Sequence, residues 1–235
     1  MIKNFYEKIP TEYKQSGGGV KYKNYDRVRI NVPFRMLVVG SSGSGKTNVV
    51  INLINIMSCF SKIYLFAKNT SEPLWAWFID KMIQLSRRAK RELLVVSNDV
   101  SDMPNIDEVD ENENNLFIYD DQITEAVSKQ KAISELFIRG RKQNASAIYI
   151  SQSYFDVPKL IRKNCDYIIV KKINTIRDLR SIIKEYNLSD ITPEKLLEVY
   201  KSIVSKGMTR FLMIDLNTNV PQLKFRDCFS PISIQ

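Results

Sequence analysis

The amino-acid sequence predicts an α/β domain with a mostly parallel central sheet flanked by helices. Short apolar runs alternate along the chain with longer segments of helical spacing. Several of those runs are continuously apolar, as in strands buried on both faces. The stretch LVVGSSGSGKTNVV, residues 37–50, places Gly40, Gly43 and Gly45 close together, although the chain has only eight glycines in 235 residues. That is the layout of a strand, a tight glycine loop and a helix.

Taken in order, residues 1–33 are polar, tyrosine-rich and broken by Ser16-Gly17-Gly18-Gly19, and read as an N-terminal arm and linker. Residues 34–235 form the domain. Its first core strand is residues 35–39. Gly40, Gly45, Lys46 and Thr47 then fit G-x-x-x-x-G-K-[ST], the phosphate-binding loop. Glycine lets the backbone curl close to phosphates with no Cβ in the way. Successive N–H groups and the following helix N-terminus offer a concave anion site. Gly40, Ser41, Ser42, Gly43, Ser44, Gly45, Lys46, Thr47 and Asn48 are therefore the candidate site for a nucleoside triphosphate. Lys46 would reach the terminal phosphates, and the Thr47 hydroxyl would hold Mg²⁺. The helix runs to about Cys59.

KIYLFA at 62–67 is a second strand. Residues 73–90 read as a helix with Trp75, Phe78, Ile79, Met82 and Ile83 at helical spacing, its aromatics more in keeping with core than with a base-stacking platform. ELLVVS at 92–97 is another strand. Residues 99–113 hold seven acids and no bases and read as a solvated loop. A buried strand follows in NLFIYDDQ, residues 115–122, then a helix over 123–142 and a strand in ASAIYIS, 145–151. Residues 158–164 give a helical turn and 167–170 a strand. Helical segments over 176–186 and 193–205 precede two runs, 210–216 and 222–227, able to pair as a terminal hairpin.

Two acids ending a buried strand require an explanation, since unpaired buried carboxylates are costly. Asp120 is the candidate to orient Mg²⁺, and Asp121 to polarise the attacking water. An acid in the second place indicates hydrolysis and argues against a GTPase switch, and no Asn-Lys-x-Asp motif is present. Gln152 stands at the tip of the next strand, near the γ-phosphate if that strand adjoins the one bearing Asp120. Arg139 and Arg141 flank Gly140. They suit charge developing on a phosphoryl group, or are cations favoured by a helix C-terminus.

Composition narrows the classes. The chain has no histidine, which removes Ser-His-Asp and Cys-His catalysis and His-based metal sites. Three isolated cysteines make a zinc site or disulfide framework unexpected. No apolar run approaches a membrane span, and residues 1–19 have no apolar signal-peptide core, so neither membrane insertion nor export is expected. The net charge is +9, and residues 159–184 hold eight bases and two acids, which raises the prospect of a polyanionic partner such as DNA.

The order GSSGSGKT, LFIYDDQ, IRGRKQNASAIYISQS, VPKLIRKNCDYIIV resembles the genome-packaging ATPases of large eukaryotic DNA viruses and virophages, the poxvirus-type branch of the FtsK–HerA superfamily. The match runs from about Arg35 to Val170. The resemblance implies a RecA-like P-loop NTPase that uses ATP and Mg²⁺ to drive double-stranded DNA into a viral capsid. It implies a homo-oligomeric ring, pentamer or hexamer, working with capsid portal or vertex proteins in the host cytoplasm (the viral factory) or on the virion. By the same resemblance Asp121 and Gln152 are catalytic, Asp120 and Thr47 bind metal, and Arg139, Arg141 or Arg162 acts across the subunit boundary. A DNA helicase or AAA-type replication ATPase, a nucleoside kinase and a non-enzymatic scaffold stay open as alternatives.

Overall fold

A computed structural model describes residues 22–186 and 191–233. Its strands are β1 (Arg35–Val39), β2 (Lys62–Ala67), β3 (Leu94–Ser97), β4 (Asn115–Asp120), β5 (Ala145–Ser151), β6 (Tyr167–Val170), β7 (Leu212–Asp215), β8 (Phe225–Asp227) and β9 (Ser230–Pro231). They form one sheet in the order β3-β2-β4-β5-β1-β6-β7-β8-β9. From β3 through β6 every pairing is parallel, and from β6 to β9 every pairing is antiparallel. The expected terminal hairpin is thus present as β7 and β8.

The helices are α1 (Tyr25–Val28), α2 (Lys46–Met57), α3 (Pro73–Ala89), α4 (Val127–Arg139), α5 (Lys159–Lys163), α6 (Ile176–Glu185) and α7 (Pro193–Val204). Side chains alternate across a strand, so the sheet buries two apolar layers. Met36, Val38, Leu65, Ile118 and Ile150 pack with Val50 and Leu53 of α2 and Trp75 and Phe78 of α3. Leu37, Val39, Phe117, Tyr149 and Val170 pack with Phe137 of α4, Ile161 of α5, Leu179 and Ile182 of α6 and Tyr200 of α7. Continuous apolar strands were the sign of this arrangement, because both faces are covered by helices.

Three expectations need correction. The single helix expected over 123–142 is a 3₁₀ turn (Gln122–Thr124), then α4, then a second 3₁₀ turn (Gly140–Gln143). Gln122, expected within the strand, instead bonds to backbone through its buried amide, donating to Phe66 O and Asp120 O at 3.1 Å each. The acidic stretch 99–113 is solvated through its polar residues but not through its apolar ones. Val100, Ile106 and Val109 are buried in the core, while Asp99 and Asp107 pair outward with Lys129 and Arg139.

The described part of the arm, residues 22–33, belongs to the packed body. Tyr22, Val28, Ile30 and Val32 are buried against α2 and the sheet, and Asn24 donates to Ile56 O at 2.8 Å. Polar composition concealed this because its apolar residues fall singly. The remainder of the arm lies outside the described residues.

Candidate functional site

The loop between β1 and α2 sits at the carboxyl edge of the parallel strands. Gly43 and Gly45 have φ of 69° and 84°, a left-handed backbone that favours glycine. At Gly40 the constraint is space: an added Cβ would lie 2.5 Å from Lys171 Cβ and 2.7 Å from Ser44 Oγ. Lys46 Nζ donates to the carbonyls of Gly40 and Ser41 at 2.8 and 3.0 Å. Burial pulls its pKa down, while Asp120 and Asp121 act the other way. Thr47 is the second residue of α2, and Asn48 follows it.

Asp120 ends β4 and Asp121 turns away from the strand with φ of 57°. β5 lies between β4 and β1, so loop strand and acid strand are two strand spacings apart, roughly 9–10 Å. Gln152, exposed, follows the last residue of β5 and so stands between them. The condition set for Gln152, that its strand adjoin the one bearing Asp120, is met.

Two supporting residues were not recognised in the sequence. Trp75 on α3 is buried core, as read, but its indole Nε1–H also donates to Asp120 Oδ2 at 2.7 Å. Burial raises the Asp120 pKa, and this hydrogen bond opposes that. Lys171 follows β6 and is 1% exposed. Its Nζ donates to Met208 O at 2.5 Å and Arg210 O at 3.0 Å, and its stem walls the loop at Gly40. A lysine closing an apolar strand beside the loop strand was the available signal. Nothing local tied Trp75 to an acid 45 positions away.

The three arginines lie elsewhere. Gly140–Gln143 leads into the first residue of β5, so Arg139 and Arg141 occupy the amino edge of the sheet, opposite the loop. Arg139 pairs with Asp107 at 2.7 Å and Arg141 approaches Asp166 at 3.7 Å, with both side chains more than half exposed. Arg162 is enclosed, pairing with Glu185 at 3.0 Å and lying over the Tyr154 ring at 4.9 Å.

The residues fit a phosphate group and a hard divalent cation. Gly40 keeps the cradle open where a Cβ would fill it, and Ser44 Oγ is buried without a hydrogen-bond partner. Thr47 and Asp120 offer only oxygen donors, which suits Mg²⁺. No group of three or more His, Cys, Asp or Glu able to hold a metal exists among the described residues.

Fold and loop define a P-loop α/β protein. The chain belongs to the poxvirus A32 protein family, which it matches over residues 22–230. It is 24% identical over 140 residues to the DNA packaging protein OPG160 of Variola virus, covering 57% of this chain and 52% of that protein. Against OPG160 of Monkeypox virus it is 30% identical over 142 residues, covering 57% and 46% respectively. The chain thus spans about half the length of these relatives. In fold it is similar to the genome packaging NTPase B204 of Sulfolobus turreted icosahedral virus 2, solved in complex with ATPγS. The TM-score is 0.58 at 20% identity, over 87% of this chain and 100% of that one. No helix among the described residues is long and apolar enough to cross a membrane.

Proposed function

We propose that this chain is the motor ATPase that hydrolyses ATP with Mg²⁺ to drive double-stranded DNA into a viral capsid. One observation carries the reading: the phosphate loop, Gln152 and the Asp120–Asp121 pair end three adjacent strands at one sheet edge. Family membership and the packaging role named for OPG160 and B204 support the direction of the work.

In this reading residues 40–48 cradle the triphosphate through backbone N–H groups, and Lys46 leaves its carbonyl acceptors for phosphate oxygens. Thr47 and Asp120 hold Mg²⁺, which would supply charge neutralisation at the phosphates. Asp121, exposed and one residue beyond the metal-binding acid, accepts a hydrogen bond from the attacking water. Gln152 orients that water or the γ-phosphate from the strand between. Trp75 keeps Asp120 aimed and its hydrogen bond favours the charged form of that carboxyl. The motor works as a homo-oligomeric ring, with capsid vertex or portal proteins as partners, in the viral factory or on the virion.

The test is Mg²⁺-dependent ATP hydrolysis with and without duplex DNA of unrelated sequences, alongside a strand-unwinding assay. The expected result is turnover stimulated about equally by every duplex, without unwinding, since a packaging motor holds phosphates and ignores base edges. Absence of turnover under all conditions, or efficient unwinding, would overturn the proposal.

A further inference from the structure

We infer that the exposed face of α5 and α6 holds the phosphate backbone of duplex DNA and reports its presence to the nucleotide loop. The inference rests on the packaging-motor reading above and gives that motor a place to grip.

Residues 159–184 carry eight bases and two acids, and folding sorts them. Asp166 and Asp178 are buried, at 2% and 7% exposure. Lys171 is inside and Arg162 is paired with Glu185. Lys159, Lys163, Lys172, Arg177, Arg180 and Lys184 remain exposed. Against them stands one exposed carboxylate, Asp156, among residues 152–186. The sequence ratio therefore understates the positive charge that the surface presents.

These bases share one continuous surface. Arg177, Arg180 and Lys184 recur at intervals of three and four, one face of a helix. α5 is fastened alongside, through the Arg162–Glu185 pair and the bond from Tyr186 OH to Arg162 O. The loop between β5 and α5 joins the first turn of α6, where Phe155 N donates to Asp178 Oδ1 at 3.3 Å. Arg177 lies over the exposed Phe155 ring at 4.1 Å. Leu160 and Ile176 are also exposed here, at 53% and 41%. The ten residues of α6 span about 15 Å, a length along which B-DNA presents about nine phosphates at one per ~1.7 Å.

Two links lead from this face to the nucleotide site. The connection entering α6 is bonded to the phosphate loop, since both Ser41 N and Ser41 Oγ donate to Lys172 O, at 2.8 and 2.9 Å. The loop carrying Phe155 begins at Gln152. A phosphate backbone drawn against α6 thus bears on the loop from one side and on Gln152 from the other.

The experiment uses the full chain and the triple variant Arg177→Ala/Arg180→Ala/Lys184→Ala. Its control is Arg87→Ala/Arg88→Ala/Lys90→Ala, which removes equal charge from exposed positions at the end of α3. Binding to a fluorescent duplex of arbitrary sequence is followed against salt, and ATP turnover is measured with and without that duplex. Each phosphate contact contributes about 0.9 to the slope of log affinity against log salt. The α6 variant should therefore flatten that slope by about 2–3 and lose DNA stimulation while its DNA-free turnover stays parental; the control should keep both. If the parent binds duplex and the α6 variant keeps its slope, or the control loses as much, this face is not the DNA site and the motor reading stands. If the parent binds no duplex, both fall.

Discussion

At Gly40 the neighbours of the missing Cβ are Lys171 and Ser44, themselves part of the loop's walls. A side chain there would push the cradle apart before any nucleotide contact was made. The proposed function gives Lys46 and Asp121 different moments of action. In the proposed reading Lys46 contacts ground-state phosphates, and Lys46→Ala should then weaken ATP binding by roughly 10–100-fold, the worth of a charge-assisted hydrogen bond. With Asp121 acting on the water in that same proposed reading, Asp121→Asn should bind ATP much as the parent does while turnover falls by about 10²–10⁴-fold. Isothermal titration beside a turnover assay separates the two, and parental turnover in Asp121→Asn would remove its assigned role. Trp75→Phe keeps an aromatic side chain, though a smaller one, and deletes the donor to Asp120, a bond to a carboxylate whose loss, beside the small cavity left, costs about 1.5–3 kcal/mol. It should lower stability by about that amount in denaturant titrations and reduce kcat more than it raises KM. The placement of the loop and the acid pair at one sheet edge is legible in the sequence because each is a local pattern tied to a strand end. Trp75 and Lys171 are not, because their roles arise only where α3 and β6 meet the site.

At the scale of elements, apolar runs located every strand from β1 to β8, though β3, β4, β7 and β8 are shorter than the stretches that predict them. The helix ahead of β5 was read too long for a physical reason. The leading flank (Gln122 to Thr124) has no proline or glycine, and the single Gly140 of the trailing flank (Gly140 to Gln143) is tolerated in many helices, yet both flanks tighten into 3₁₀ turns. The segment 22–33 was misplaced because its anchor lies nearly two hundred residues away. Arg226, buried in β8, donates to Val28 O at 2.7 Å and Arg29 O at 3.2 Å. It also pairs with buried Asp215 at 2.5 Å. One guanidinium thus joins the first described turn to the terminal hairpin. Arg226→Met leaves Asp215 buried without its cation and the carbonyls of Val28, Arg29 and Leu223 without this donor, and should cost about 3–5 kcal/mol. Adding Asp215→Asn should restore part of that in chemical denaturation. A single variant as stable as the parent would show that this junction does not hold the segment.

At the scale of the whole molecule, the sheet separates the nucleotide loop from Arg139 and Arg141. α4 has thirteen residues and spans about 20 Å, carrying the chain from the Asp121 edge to the opposite one. Neither arginine lies near its own chain's phosphate loop, whereas both are exposed for a neighbour. Arg162 is held by Glu185 and Tyr154 and stays in reserve. The charge building on a γ-phosphoryl group would then lack one cationic partner in a lone subunit. An arginine supplied from a neighbour raises such rates by about 10³–10⁵-fold, so the isolated subunit should be a slow ATPase and the assembled ring a fast one. Mixing tests this directly. A subunit carrying Arg139→Ala and Arg141→Ala keeps a sound pocket, and an Asp121→Asn subunit keeps its arginines. Each should be inactive alone, and mixed rings should recover part of the parental activity, because some interfaces then join a good pocket to a good arginine. The same experiment with Arg162→Ala examines the reserve. If mixed rings form and none of the three arginines complements, hydrolysis is completed within one chain, and the two sheet edges do not meet across a subunit boundary.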